Sequence, residues 1–233
     1  VTPAFLARLR QAQAEGRPVA VLTRLTDGQQ FLHPEDAAPP ALAEAADAAL
    51  AGDAATNLVQ DDAPWFVQPF NPRLRLIVVG AVHIAQALVP MALELGYAVT
   101  VIDPRRAFAT EERFGDRIAM LGDWPDEAMA ALAPDSRTAV VTLTHDPKLD
   151  DPALEVALRS PAFYVGALGS RRTHAKRVAR LTEAGLTPEA IGRIAAPIGL
   201  NIGAVTAPEI ALSILAEITA RRRGARLAER IAA

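Results

Sequence analysis

The 233 residues carry 24 lysines and arginines against 27 aspartates and glutamates, a formal net charge of −3, with 51% hydrophobic and 22% charged residues. This composition excludes a mostly disordered chain and argues against a dedicated nucleic-acid binder. The absence of cysteine excludes disulfides, thiolate metal sites, cysteine nucleophiles and persulfide carriage by these residues, and four histidines (His33, His83, His145 and His174) are too few for a histidine-rich metal centre.

Residues 1–13 have no apolar core of signal-peptide length, because arginines and glutamines interrupt them. The apolar stretches 76–102 and 194–218 are broken by glycine, histidine, proline and acidic residues, so each reads as a buried strand with a packed helix rather than a membrane span. The expectation is a soluble, cytoplasmic protein. In chain order, the pattern predicts a helix over 3–15 with Phe5, Leu6 and Leu9 on one face, then a strand over 19–23. Asp27-Gly28 marks a hairpin turn before a strand over 30–32. Pro39-Pro40 precedes an alanine-rich helix over 41–51, and short strands follow at 58–59 and 65–67. Prolines 69 and 72 close a small α+β domain over 1–72.

From residue 73 the rhythm becomes β-α-β-α. Strands are expected over 74–79, 98–102, 138–143 and 162–165, with a weaker one over 117–121. Helices are expected over 82–95, which Pro90 should bend, and over 125–132, 152–159 and 170–184. The last helix starts at Thr206, with Glu209 at capping-box spacing, and runs to about 222. Apolar strands without alternation are buried on both faces, which means a parallel sheet covered by helices. The fold class is α/β: a doubly wound, Rossmann-like domain over 73–233 behind the small α+β domain.

Ligands of such sheets sit at the carboxyl ends of the strands. The first turn reads Gly80-Ala81-Val82-His83-Ile84-Ala85, with Asp103 about 20 residues on, where an acidic residue would meet a ribose. Val82 occupies the position that a dinucleotide turn gives to glycine, so NAD(P) binding by an oxidoreductase is the alternative rather than the main reading. His83 either bonds a ligand or exchanges a proton with it, or is a partly buried histidine bonded to a loop carbonyl. Asp103 is a ribose or pterin donor-holder, Arg105 a phosphate ligand and Arg106 a solvated charge. The strand over 138–143 ends in Thr144-His145-Asp146-Pro147-Lys148, which offers His145 and Asp146 to a ligand. Asp146-Pro147 also reads as a turn, with Asp150 or Asp151 capping the next helix.

Gly166-Ala167-Leu168-Gly169-Ser170-Arg171-Arg172 is the most informative stretch. Gly166 and Gly169 let the backbone curl, Ser170 caps the helix, and Arg171 and Arg172 add cationic forks beside its free amides, a recipe for binding phosphate. Lys176 and Arg180 read as a solvated basic face. Residues 196–204 form either a second backbone cradle or a tight connection packed on the first helix. Arg221-Arg222-Arg223 reads as a frayed tail. No residue is assigned a catalytic or metal-binding role.

The order of these motifs resembles the XdhC/CoxI family, accessory or maturation factors of xanthine and carbon monoxide dehydrogenases. The residues that carry the resemblance are Gly80-Ala81-Val82-His83, Val101-Ile102-Asp103-Pro104-Arg105, Leu143-Thr144-His145-Asp146-Pro147-Lys148, Gly166 through His174, and Ala196-Pro197-Ile198-Gly199-Leu200. The chain departs from the usual family pattern at Val82, Ala195 and Asn201, where glycine, histidine and aspartate are common. Membership implies a chaperone that binds molybdenum cofactor, carries it rather than uses it, and delivers it to a xanthine-dehydrogenase-type apoenzyme. It also implies work beside a cysteine desulfurase that sulfurates the metal. The implied cofactor site comprises Gly80, His83, Asp103, Arg105, His145, Asp146, Gly166, Gly169, Ser170, Arg171 and Arg172. No nucleic-acid or membrane partner is expected, and the size and apolar composition suit a homodimer.

Overall fold

The computed structural model describes residues 2–105 and 111–225. The chain divides into two compact units, Val1–Pro72 and Arg73–Ala233.

In the first unit, helix α1 (Pro3–Ala14) starts where the Thr2 hydroxyl accepts the Phe5 amide, with Pro3 in the first turn. Strands β1 (Val19–Arg24) and β2 (Gln30–His33) form the expected antiparallel hairpin. Helix α2 (Pro40–Gly52) then leads to β3 (Thr56–Gln60) and β4 (Ala63–Phe70), giving an antiparallel sheet of order β2-β1-β4-β3. Alternation along β1 sorts its side chains between two layers. Ala20 and Leu22 meet Leu42, Ala46 and Ala49 of α2, whereas Val19 and Val21 meet Phe5, Leu9 and Ala12 of α1. Leu6 lies off that face, 37% exposed.

The second unit begins with β5 (Arg75–Val79), α3 (His83–Glu94), β6 (Ala98–Ile102), α4 (Glu111–Phe114), β7 (Ala119–Leu121) and α5 (Pro125–Leu132). It continues with β8 (Thr138–Thr142), α6 (Pro147–Arg159), β9 (Tyr164–Ala167), α7 (Arg171–Glu183), α8 (Pro188–Ile191), β10 (Ile194–Ala195) and α9 (Ala207–Arg222). All six strands are parallel, in the order β10-β9-β8-β5-β6-β7. This is the dinucleotide-fold order, with its switch point between β5 and β8. Leu76 and Val78 face α3 and α9, while Ile77 and Val79 face α5, α6 and α7. Burial on both faces is why these strands lack alternation. No described helix is long and apolar enough to cross a membrane.

Several boundaries differ from expectation. Helix α6 starts at Pro147, not at 152: Asp146 is its N-cap, accepting the Lys148 amide at 3.0 Å, and Pro152 lies inside the helix. Asp150 and Asp151 therefore cap nothing. Strand β9 extends to Ala167, and α8 and β10 carried no clear sequence signal. Arg221 and Arg222 form the last turn of α9 rather than a frayed tail. The Thr206–Glu209 capping box is present. Arg106 lies outside the described residues.

Candidate functional site

Gly80 follows β5 with φ +108°, and a Cβ there would lie 2.5 Å from Thr144 Cγ2. The glycine is thus demanded by the close approach of the loop after β8 across the switch point. Val82 is the N-cap of α3 and has no side-chain group to cap it. His83, the first residue of α3, is exposed and makes no hydrogen bond among the described residues, so the carbonyl-bonded alternative does not apply.

Asp103, just past β6, is fully buried. Its Oδ2 accepts the Ala81 amide at 2.8 Å and Arg105 Nη2 at 2.7 Å, and its Oδ1 accepts the Arg105 amide at 3.0 Å and Nε at 2.8 Å. Burial alone would push this carboxyl up, but the hydrogen bonds from Arg105 and the two amides outweigh it and hold the group below the ordinary aspartate range. The carboxylate is spent on tying the end of β6 to the first turn. Each oxygen already accepts two protein bonds, so a ribose hydroxyl would have to displace Arg105 or an amide. Arg105 is 38% exposed and held on this carboxylate.

The loop after β8 is organised by Thr144. Its hydroxyl accepts the Asp146 amide at 3.0 Å and donates to Asp150 Oδ1 at 2.7 Å. Asp146 caps α6, and His145, at φ +63°, is exposed. Asp150 and Arg177 are 1% and 2% exposed, with Asp150 Oδ2 and Arg177 Nη2 3.7 Å apart. Burial raises the Asp150 carboxyl despite its bonds to Thr144 and the nearby Arg177, and burial lowers Arg177.

The two glycines between β9 and α7 serve different ends. Gly166 lies within β9, where a Cβ would fall 2.6 Å from Ile198 Cδ1, so its role is to admit the 196–200 segment. Gly169 turns the chain with φ +137°. Ser170 then caps α7, its Oγ accepting the Thr173 amide at 3.2 Å. Arg171 and Arg172, adjacent on the helix, separate. Arg171 lines a pocket of about 610 Å³ with Leu168, Ile198, Asn201 and Ile210. Arg172 lines another of about 300 Å³ with His145, Lys176, Arg177 and Arg180. Residues 196–204 wall the first pocket and are pinned to α9, where the Leu200 amide donates to Ser213 O at 3.1 Å. Glu217, 1% exposed, accepts the Gly199 amide at 2.7 Å and the Tyr164 hydroxyl at 2.8 Å, and a Cβ on Gly199 would lie 2.4 Å from Ser213 Oγ.

The eleven expected site residues thus fall into three groups. Gly80, Asp103 and Arg105 build the switch-point turn, with His83 exposed beside it. Arg171 lines the larger pocket, Gly166 admits the Ile198 that walls it, and Gly169 and Ser170 form the turn and cap that lead into α7. His145, Asp146 and Arg172 belong with the α6 and α7 side. Arg177 is not among the expected site residues, because the helical spacing of Arg172, Lys176 and Arg180 passes over it. Its signal was its placement four residues before the fully buried Leu181, which puts it on the inner face of α7.

A sequence profile described as the XdhC Rossmann domain matches residues 76–218. Escherichia coli K12 "Molybdenum cofactor insertion chaperone PaoD" is 35% identical over 153 residues, 66% of this chain and 42% of that protein. A Bacillus subtilis 168 protein, named as a probable xanthine dehydrogenase subunit, is 30% identical over 158 residues, 68% of this chain and 46% of that protein. The chain therefore spans less than half the length of these curated relatives. A Bacillus halodurans crystal structure described as a xanthine dehydrogenase matches 97% of this chain and 66% of its own, with a TM-score of 0.71 at 22% identity, a likeness of fold.

Proposed function

This chain belongs to the XdhC Rossmann-domain family, and on that premise we propose that it is a maturation factor for a molybdenum hydroxylase. It takes molybdenum cofactor as cargo and passes it to a xanthine-dehydrogenase-type apoenzyme. The observation that carries this reading is the pocket of about 610 Å³ between the turn after β9 and the 196–204 segment. It lies at the carboxyl ends of parallel strands, where this fold binds ligands. Its lining is mostly apolar side chains and loop backbone, with the polar Asn201 and Ser213, and with Arg171 as the one charged side chain among the described residues. A pterin is flat, with polar edges and a phosphate. Apolar walls cover its faces, loop amides and carbonyls meet its edges, and Arg171 pairs with the phosphate. Gly169 and Ser170 aim Arg171, and Gly166 lets Ile198 close the wall.

Sulfuration falls to a separate cysteine desulfurase, since these residues contain no thiol. An NAD(P) oxidoreductase is disfavoured by Val82 in the first turn and by the saturation of Asp103. The test is anaerobic equilibrium binding of freshly released molybdenum cofactor, with NADPH as competitor. Saturable binding that NADPH leaves intact is expected. Arg171→Ala should weaken it about tenfold, the loss of one charge-assisted contact. Displacement by NADPH, or no retention of cofactor by the folded chain, would refute the reading.

A further inference from the structure

The smaller cavity, between the first turns of α6 and α7, has a construction of its own. Arg177 is 2% exposed, yet its Nε and Nη1 have no hydrogen-bond partner among the described residues. Among the described residues only Nη2 is bonded, donating to Leu168 O at 2.9 Å. Buried donors in folded proteins are nearly always paired, so an arginine left this way beside a cavity points to a ligand. Asp150 does not complete it. Its Oδ1 is taken by Thr144, and its Oδ2 stands 3.7 Å from Arg177 and also lacks a hydrogen bond among the described residues.

The charges around the cavity are unbalanced. Arg172, Lys176, Arg177 and Arg180 line it, against Asp150 and Asp151. Arg180 is bound by both oxygens of Asp151. Arg172 and Lys176 are exposed and make no ion pair among the described residues. From this we infer that the α6–α7 cavity is a phosphate-monoester site, separate from the larger pocket, in which Arg177 supplies the buried donors and Arg172 and Lys176 the outer charge. A phosphate presents several oxygens to converging donors, and its dianion balances the surplus of two positive charges. When one oxygen is protonated, that hydroxyl donates to Asp150 Oδ2. The cavity, at about 300 Å³, is larger than a bare phosphate and leaves room for the organic group behind it. This inference does not depend on what the larger pocket carries.

The test is calorimetric titration of the whole chain with inorganic phosphate and with ribose 5-phosphate, each against chloride at matched ionic strength. Saturable binding of either phosphate supports the site, and tighter binding of the ester than of the free ion identifies a monoester as its ligand. Arg177→Met should abolish the binding. That variant removes a buried charge and risks misfolding, so Arg172→Ala/Lys176→Ala, confined to exposed side chains, is measured beside it. The double variant should bind at least tenfold more weakly. No saturable heat above the chloride control, or wild-type affinity in the folded double variant, would overturn the inference and leave Asp150 and Arg177 as a structural pair.

Discussion

At Gly80 a single hydrogen atom stands where any other residue would push a methylene or methyl group into Thr144 Cγ2, 2.5 Å away, at a backbone angle that side chains rarely adopt. Gly80→Ala should destabilise the chain by about 2 kcal/mol in urea unfolding. Adding Thr144→Ser removes the obstructing methyl and keeps the hydroxyl that holds Asp150, so part of the loss should return while the backbone share stays. A fully additive pair of effects would mean the contact contributes nothing. Asp103 makes a second test. Its native carboxyl titrates below the unfolded one, so its stabilising contribution is complete near neutral pH and fades as the pH falls through the native value. Asp103→Asn should cost about 2–4 kcal/mol near neutral pH, with the difference from wild type shrinking below about pH 4. A difference independent of pH would show that the carboxylate's charge is immaterial. The sequence placed an acidic residue at the end of the second strand correctly. It did not reveal that Arg105, two residues on, folds back to occupy that carboxylate, because partner choice depends on where the chain turns after β6.

Among the elements, α6 illustrates why boundaries escape a reading by pattern. Asp-Pro occurs at 146–147 and again at 151–152, and both pairs satisfy the rule of a capping aspartate with proline in the first turn. Tertiary contacts decide between them: Asp150 must reach Thr144, and Leu149 is buried, so the earlier pair caps and the later one is carried inside the helix. By contrast, the capping box of α9 and the Ser170 cap of α7 had no rival and were legible. The 196–204 segment depends on α9 through Glu217. Glu217→Ala removes the buried carboxylate that accepts the Gly199 amide and the Tyr164 hydroxyl, which should cost about 3 kcal/mol. It should also free the segment, so amides 198–203 should exchange faster with deuterium by mass spectrometry while those of β5 keep their protection. Unchanged exchange in 198–203 would mean the segment is held by packing alone.

Across the molecule, continuous apolar strands announced a buried parallel sheet, and the strand order places its switch point beside the Gly80 turn. What no pattern of residues conveyed is that the carboxyl end of this sheet opens into separate pockets. Neighbouring side chains on a helix diverge, so Arg171 and Arg172, read as one phosphate clamp, serve different cavities. Under the proposed delivery, Val205, 82% exposed and next in sequence to the pocket-lining Ala204, is an apolar side chain that a receiving enzyme would cover. Val205→Gln should leave cofactor binding unchanged and slow its transfer severalfold, measured as the rate at which an apoenzyme gains activity. Delivery of the cofactor is measured most directly as its transfer. The chain is loaded anaerobically with molybdenum cofactor, freed of unbound cofactor, and mixed with a cofactor-free xanthine-dehydrogenase-type enzyme. Molybdenum should leave the chain and appear in the enzyme fraction, faster than from free cofactor at the same concentration. Molybdenum that stays on the chain, or an enzyme that fills no faster than with free cofactor, would contradict the account.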